Sequence, residues 1–151
     1  MKIPALCLAF MFPLAAEFRS VEMPVSGLEC ASCAASVDRV IRKIKGVESA
    51  AFQHPKLVVQ LKPGNTVPLE EISDALKRVG YTPEAATVEA RGAVIPDGER
   101  WTLRLDGIQR TYRLDLSGLS PRPIRPGQKA TVEGVIAPRS EVLQVRAIRT
   151  E

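Results

Sequence analysis

The chain is poor in the residues from which most catalytic sites are assembled. Its 151 residues include one histidine, His54, with one tryptophan, two tyrosines and three cysteines. No Ser-His-Asp set, phosphate-cradling glycine loop or convergent pair of catalytic carboxylates can be picked out, so no reaction on an organic substrate is expected. Neither sign of charge is concentrated. Residues 17–88 carry nine acidic and nine basic side chains; residues 89–151 carry eight acidic and eleven basic, ten of the latter arginine. A surplus of three spread along strands makes a solvated face, whereas a nucleic-acid footprint is a clustered stripe. No nucleic-acid partner is expected. No apolar run reaches the ~20 residues that a membrane-spanning helix needs, so no direct membrane span is expected either.

What apolar sequence there is begins at the N-terminus. Ile3 to Phe12 comes after Lys2 and precedes Pro13-Leu14-Ala15-Ala16, the order of a secretory leader. Residues 1–16 are therefore expected to be a signal peptide cleaved after Ala16, and the protein to be exported and periplasmic. Cys7 lies inside the apolar run and is assigned no chemistry. Removing the leader leaves a single pair, Cys30 and Cys33, in the stretch GLECASC.

Periodicity divides the rest into two halves. Val21, Met23 and Val25 alternate with polar neighbours as in a half-buried strand. Cys33, Val37, Val40, Ile41 and Ile44 then fall at helical spacing, with Gly46 as the stop. Val47 to Phe52 and Lys56 to Lys62 read as strands around the turn Gln53-His54-Pro55. A second helix opens at Thr66-Val67-Pro68 and places Leu69, Ile72, Leu76 and Val79 on one face, with Glu70 and Glu71 in its first turn and Lys77 and Arg78 in its last. A final strand starts near Thr82 and runs toward Ala90. Strand, helix, strand, strand, helix, strand is the ferredoxin-like order.

Two thiolates are soft ligands, suited to Cu(I) and Hg(II), and to zinc only when four such ligands converge. With Cys30 and Cys33 alone, a monomer cannot close a four-cysteine zinc site. Near-linear coordination by two sulfurs selects monovalent copper or mercury without separating them. Cys30 falls in the loop and Cys33 in the first helical turn, where backbone N–H groups favour a negatively charged sulfur. The pair can also rest as a disulfide or exchange electrons. Against redox catalysis, the surroundings lack the aromatic, glycine and proline context of thioredoxin-like C-x-x-C motifs. The lone His54 is expected to be a turn residue before Pro55 rather than a ligand.

The stretch VEMPVSGLECASCAASVDRVIRKIKGVESAAFQHPKLVVQL, with ISDALKRVGYTPE after it, resembles the heavy-metal-associated domain family, which includes copper chaperones, modules of copper-pumping ATPases and the periplasmic mercury-binding protein. The shared features are a G-x-x-C-x-x-C loop, a helix ending in Gly46-Val47 and the late Gly80-Tyr81. The resemblance implies that Cys30 and Cys33 hold Cu(I) first and Hg(II) second. It also implies that Leu28, where the family usually has Met, packs beneath the loop and that Tyr81 flanks the metal. The implied partners are a membrane metal transporter or another C-x-x-C domain, with a metal-bridged dimer as a further arrangement. In this fold the cysteine loop, the hairpin carrying His54 and the loop carrying Tyr81 lie at one end of the sheet, and the last strand runs away from that end, so the C-terminal half of the chain is expected to lie opposite the site.

From Thr87 on only strands are expected: Val88 to Ile95, Trp101 to Leu105, Ile108 to Leu116, Lys129 to Ile136 and Val142 to Ile148. Trp101, Leu103 and Leu105, then Tyr112, Leu114 and Leu116, are the expected core faces. Five short strands suggest a small closed barrel, and WTLRLDG and GQKATVEGVIAP resemble bacterial OB-fold modules. The barrel half contains no Met and no His, so a copper site of that type is excluded there. A spacer or protein-docking role is expected instead. The whole is thus read as an α+β chain: a leader over residues 1–16, a metal-binding domain over 17–87 and an OB-like barrel over 88–151. A chain ending near Glu89 is expected to fold and bind metal alone.

Overall fold

The computed structural model describes residues 16–151. The leader expected over residues 1–16 lies outside the described residues except for Ala16. The first half runs β1 (Glu17–Ser26), α1 (Ala31–Arg42), β2 (Val47–Gln53), β3 (Lys56–Leu61), α2 (Leu69–Arg78) and a two-residue β4 (Thr82–Pro83), then enters β5 (Ala86–Asp97). The second half is β6 (Arg100–Leu105), a 3-10 turn (Asp106–Ile108), β7 (Arg110–Asp115), β8 (Gln128–Ile136) and β9 (Val142–Thr150).

In the first half the strand order is β2-β3-β1-β5, antiparallel throughout. Alternation puts Val21, Met23 and Val25 of β1 and Leu57, Val59 and Leu61 of β3 on the buried side. They meet Val37 and Ile41 of α1 and Ile72, Ala75 and Leu76 of α2 in one apolar core. Helix α1 ends at Arg42, earlier than Gly46, because Lys43 already closes the last turn. Val79 lies just past α2 and is 37% exposed, so it is not part of that helix's buried face.

The second half closes on itself. β5 pairs β6, β6 pairs β7, β7 pairs β9 in parallel, β9 pairs β8, and β8 returns to β5. Leu103, Leu105, Tyr112 and Leu114 fill the interior, whereas Trp101 and Leu116 are only half-buried. Those two line a cavity of about 240 Å³ under the proline-rich segment that contains Leu119, Pro121 and Ile124. The strand expected from Ile108 begins at Arg110, since residues 106–108 form the 3-10 turn.

The halves share β5. On one edge, Thr87 to Arg91 pair β1 and Ala93 to Asp97 pair β6; the other edge, Ala86 to Val94, pairs β8. The boundary expected at 87/88 therefore falls inside a continuous strand. Gly92 stands where the first edge changes partner, and a Cβ there would meet the Arg104 carbonyl oxygen at 2.4 Å. Glycine in a strand marks such close backbone approaches. Gly92→Ala is expected to lower stability by about 1–3 kcal/mol. Urea denaturation checks this; an unchanged midpoint would mean that the strands part without strain.

Phe18 of β1, fully buried, meets Tyr112 of β7 edge-on, with ring centroids 5.8 Å apart, so the two cores are continuous. Tyr112 has its pKa pushed up to about 12, chiefly because burial penalises the phenolate; Glu70 adds to the rise and Arg110 opposes it. The folded state thus holds this proton more tightly than the unfolded chain, where tyrosine titrates near ~10. The contribution is fully present below pH ~10 and is lost as pH rises toward ~12. Thermal melts across that window are expected to fall more steeply for the native chain than for Tyr112→Phe, and parallel curves would contradict this.

Free strand edges carry arginine caps. The Arg42 guanidinium donates twice to the Ala50 carbonyl on β2, and Arg122 donates to the Ile148 carbonyl on β9. Each blunts an edge that would otherwise offer unpaired backbone groups. Among the described residues no helix is long and apolar enough to cross a membrane.

Candidate metal centre

The loop between β1 and α1 carries both sulfurs. Its first anchor is β4: Thr82 and Pro83 pair with Ser26 and Val25, and Glu84 accepts a hydrogen bond from the Ser26 hydroxyl. These contacts fix the end of β1 one residue before Gly27. Its second anchor is Leu28, 3% exposed, whose side chain joins the apolar core below the loop.

Cys30 is the N-cap of α1: its backbone is extended, and its Sγ accepts the Cys33 amide at 3.1 Å. The Ser32 hydroxyl lies 3.2 Å from the same sulfur. A sulfur in this position receives the donors that a helix start leaves unpaired, which favours a thiolate. No acidic side chain occupies the first turn of α1 to oppose that charge. Cys30 is exposed, and Cys33 is half-buried against the core. Their Cα atoms are 5.1 Å apart and the sulfurs are joined as a disulfide. Reduction gives two thiols within one helical turn of each other.

A shallow cavity of about 340 Å³ opens beside Cys30, lined by Leu28, Glu29, Ala31, Ala34, Phe52 and His54. His54 is exposed on the β2–β3 turn, as expected from its place before Pro55, and its ring lies 6.1 Å from that of Phe52. The topology thus brings the only imidazole to the rim of the Cys30 cavity, a proximity across loops that no local pattern encodes. Among the described residues no three His, Cys, Asp or Glu side chains cluster as a metal site. Tyr81 is half-buried against the core at the same end, and its amide donates to the Leu76 carbonyl.

The barrel does not lie wholly opposite this end. Its β8–β9 turn, Ala137 to Ser140, faces Thr82, Pro83 and Glu84 across a cavity of about 530 Å³. Those are the residues that brace the end of β1.

A family model for the heavy-metal-associated domain matches residues 22–82. Residues 22–82 are a heavy-metal-associated domain. The match starts within β1 and ends in β4, so it takes in the cysteine loop, both helices and the β2–β3 hairpin. Heavy-metal-associated domains are metal-binding modules and not catalytic ones. Among curated proteins, the chain is 27% identical over 84 residues to a copper-exporting P-type ATPase of Mycobacterium tuberculosis, covering 56% of this chain and 11% of that one. It is 35% identical over 65 residues to PacS of Synechocystis, a probable copper-transporting ATPase, covering 42% of this chain and 8% of the relative. The chain thus spans only about a tenth of the length of these relatives. A copper-binding domain of a P-type ATPase, solved by crystallography, aligns at 25% identity and a TM-score of 0.40, over 46% of this chain and 92% of that one.

Within the heavy-metal-associated domain, Cys30, Cys33 and Leu28 form one local unit, with Leu28 buried beneath the exposed sulfur. Both cysteines belong to the described residues and to the matched region. The match to this family supports heavy-metal binding by residues 22–82.

Proposed function

We propose that the protein binds one Cu(I) through the thiolates of Cys30 and Cys33 and passes it on by ligand exchange. The observation that carries this is a paired-sulfur loop at a helix N-terminus, exposed on Cys30, in a heavy-metal-associated domain with no further clustered donors among the described residues. Two soft sulfurs suit Cu(I), and also Hg(II), better than zinc. Copper is preferred because the curated relatives are copper-transporting ATPases. An open site with few ligands lets a partner's cysteine enter before the first sulfur leaves, so a membrane metal transporter or another C-x-x-C domain is the natural donor or acceptor. A second chain can offer the same pair across one ion, giving a metal-bridged dimer. The barrel is read as an OB-like docking or spacing module, and the protein as an exported, periplasmic one.

The disulfide supports a second reading on the same residues, thiol–disulfide exchange. In that case the two thiols lose two electrons and two protons and join as a disulfide, and another disulfide takes up both and becomes two thiols. Stopped-flow transfer of Cu(I) from the loaded protein to a C-x-x-C acceptor domain separates the two. Transfer without change in thiol count is expected, whereas acceptor oxidation without copper movement would favour the redox reading.

A further inference from the structure

Ala16 and Glu17 stand at the edge of the expected leader, yet both are built into the fold. Ala16 is 5% exposed, and its carbonyl accepts the Gly107 amide at 3.1 Å. Gly107 lies so close that a Cβ there would meet the Ala16 oxygen at 2.7 Å, an approach that only glycine allows without displacement. Glu17 is 8% exposed; its Oε2 accepts the Gly64 amide at 2.7 Å, and its backbone pairs with Arg91. These two residues therefore reach three separate places: the barrel's 3-10 turn, the approach to α2 and the shared strand β5.

We propose that Ala16 and Glu17 form a latch joining the metal-binding half to the barrel, and that the processed protein keeps Ala16. Hydrolysis of the Ala16–Glu17 bond adds hydroxide to the Ala16 carbonyl and protons to the Glu17 nitrogen. Ala16 then departs with the leader. Gly107 loses its acceptor, and a charged ammonium appears on a residue that the fold buries. An unpaired buried donor and a buried charge are both destabilising. A leader is removed from an unfolded chain, so the fold does not block that cut; it penalises the product. The fold therefore favours a product that retains Ala16 over one that begins at Glu17.

Two measurements test this. The full chain with a C-terminal tag is expressed in a bacterial host, and the intact mass of the folded product is read. A product cut upstream of Ala16 is expected, and an uncut product or one beginning at Glu17 overturns the proposal. Separately, chains beginning at Leu14 and at Glu17 are prepared from a cleavable tag that leaves no extra residue. The shorter chain is expected to melt about 5 °C or more below the longer one. Equal melting points would show that the latch contributes nothing.

Discussion

Replacing Cys30 or Cys33 by serine is expected to weaken Cu(I) binding by about 1,000-fold, equivalent to about 4 kcal/mol, while leaving the fold unchanged. A serine hydroxyl is a hard donor that stays protonated at neutral pH, so either substitution leaves one soft ligand where two are needed. The fold should tolerate both changes, because Cys30 is exposed and Cys33 is only half-buried. Cys30→Ser is the cleaner of the two. Cys30 serves as the N-cap of α1 through its sulfur, and serine is among the best residues for that position. Competition against a copper chelator measures the affinity, and circular dichroism checks the fold. A double substitution that still bound Cu(I) tightly would place the ion elsewhere.

Ending the chain at Glu89 is expected to cost about 3–5 kcal/mol of stability, a large share of the ~5–15 kcal/mol that holds a domain together. The cut removes Ala90 and Arg91, the partners of Phe18 and Glu17 on β1. It also removes Tyr112 from the edge of the Phe18 ring, which is fully buried in the intact protein. Uncovering one such aromatic side chain costs about 2–3 kcal/mol by itself. The strand left behind keeps Ala86 to Glu89 but loses its whole second edge, which pairs β8. A chain ending at Asp97 keeps the β1 ladder and should fall between the two. Urea denaturation followed by circular dichroism orders the three chains. A chain ending at Glu89 that unfolds at the full-length midpoint would mean that β5 and the barrel add little, as the sequence alone suggests.

That contrast shows where sequence pattern stops being informative. The helices were legible from local physics: Glu70 and Glu71 at the start of α2, Lys77 and Arg78 at its end, and Ile72 and Leu76 at helical spacing. The place of the cysteine loop, between β1 and α1, was legible for the same reason. Phe18 was not, because it is out of phase with Val21, Met23 and Val25, across a register shift between Phe18 and Ser20, and is buried by β5 and Tyr112, which are distant in sequence. The shared strand left one trace. The last strand of the first half and the first strand of the barrel both claim residues 88–90, and no turn residue separates them. Two expected strands that overlap are physically one. The position of His54 beside the Cys30 cavity has no local signal and follows instead from the ferredoxin-like order, which sets the β2–β3 hairpin at the same end of the sheet as the cysteine loop.

Competition titration of the reduced protein with Cu(I) against a strong copper chelator, with Zn(II) as the control ion, tests the central claim most directly. One Cu(I) held tightly per chain and not displaced by zinc is the expected result. Absence of competitive binding, or equal competition by zinc, would contradict a two-thiolate copper site at Cys30 and Cys33.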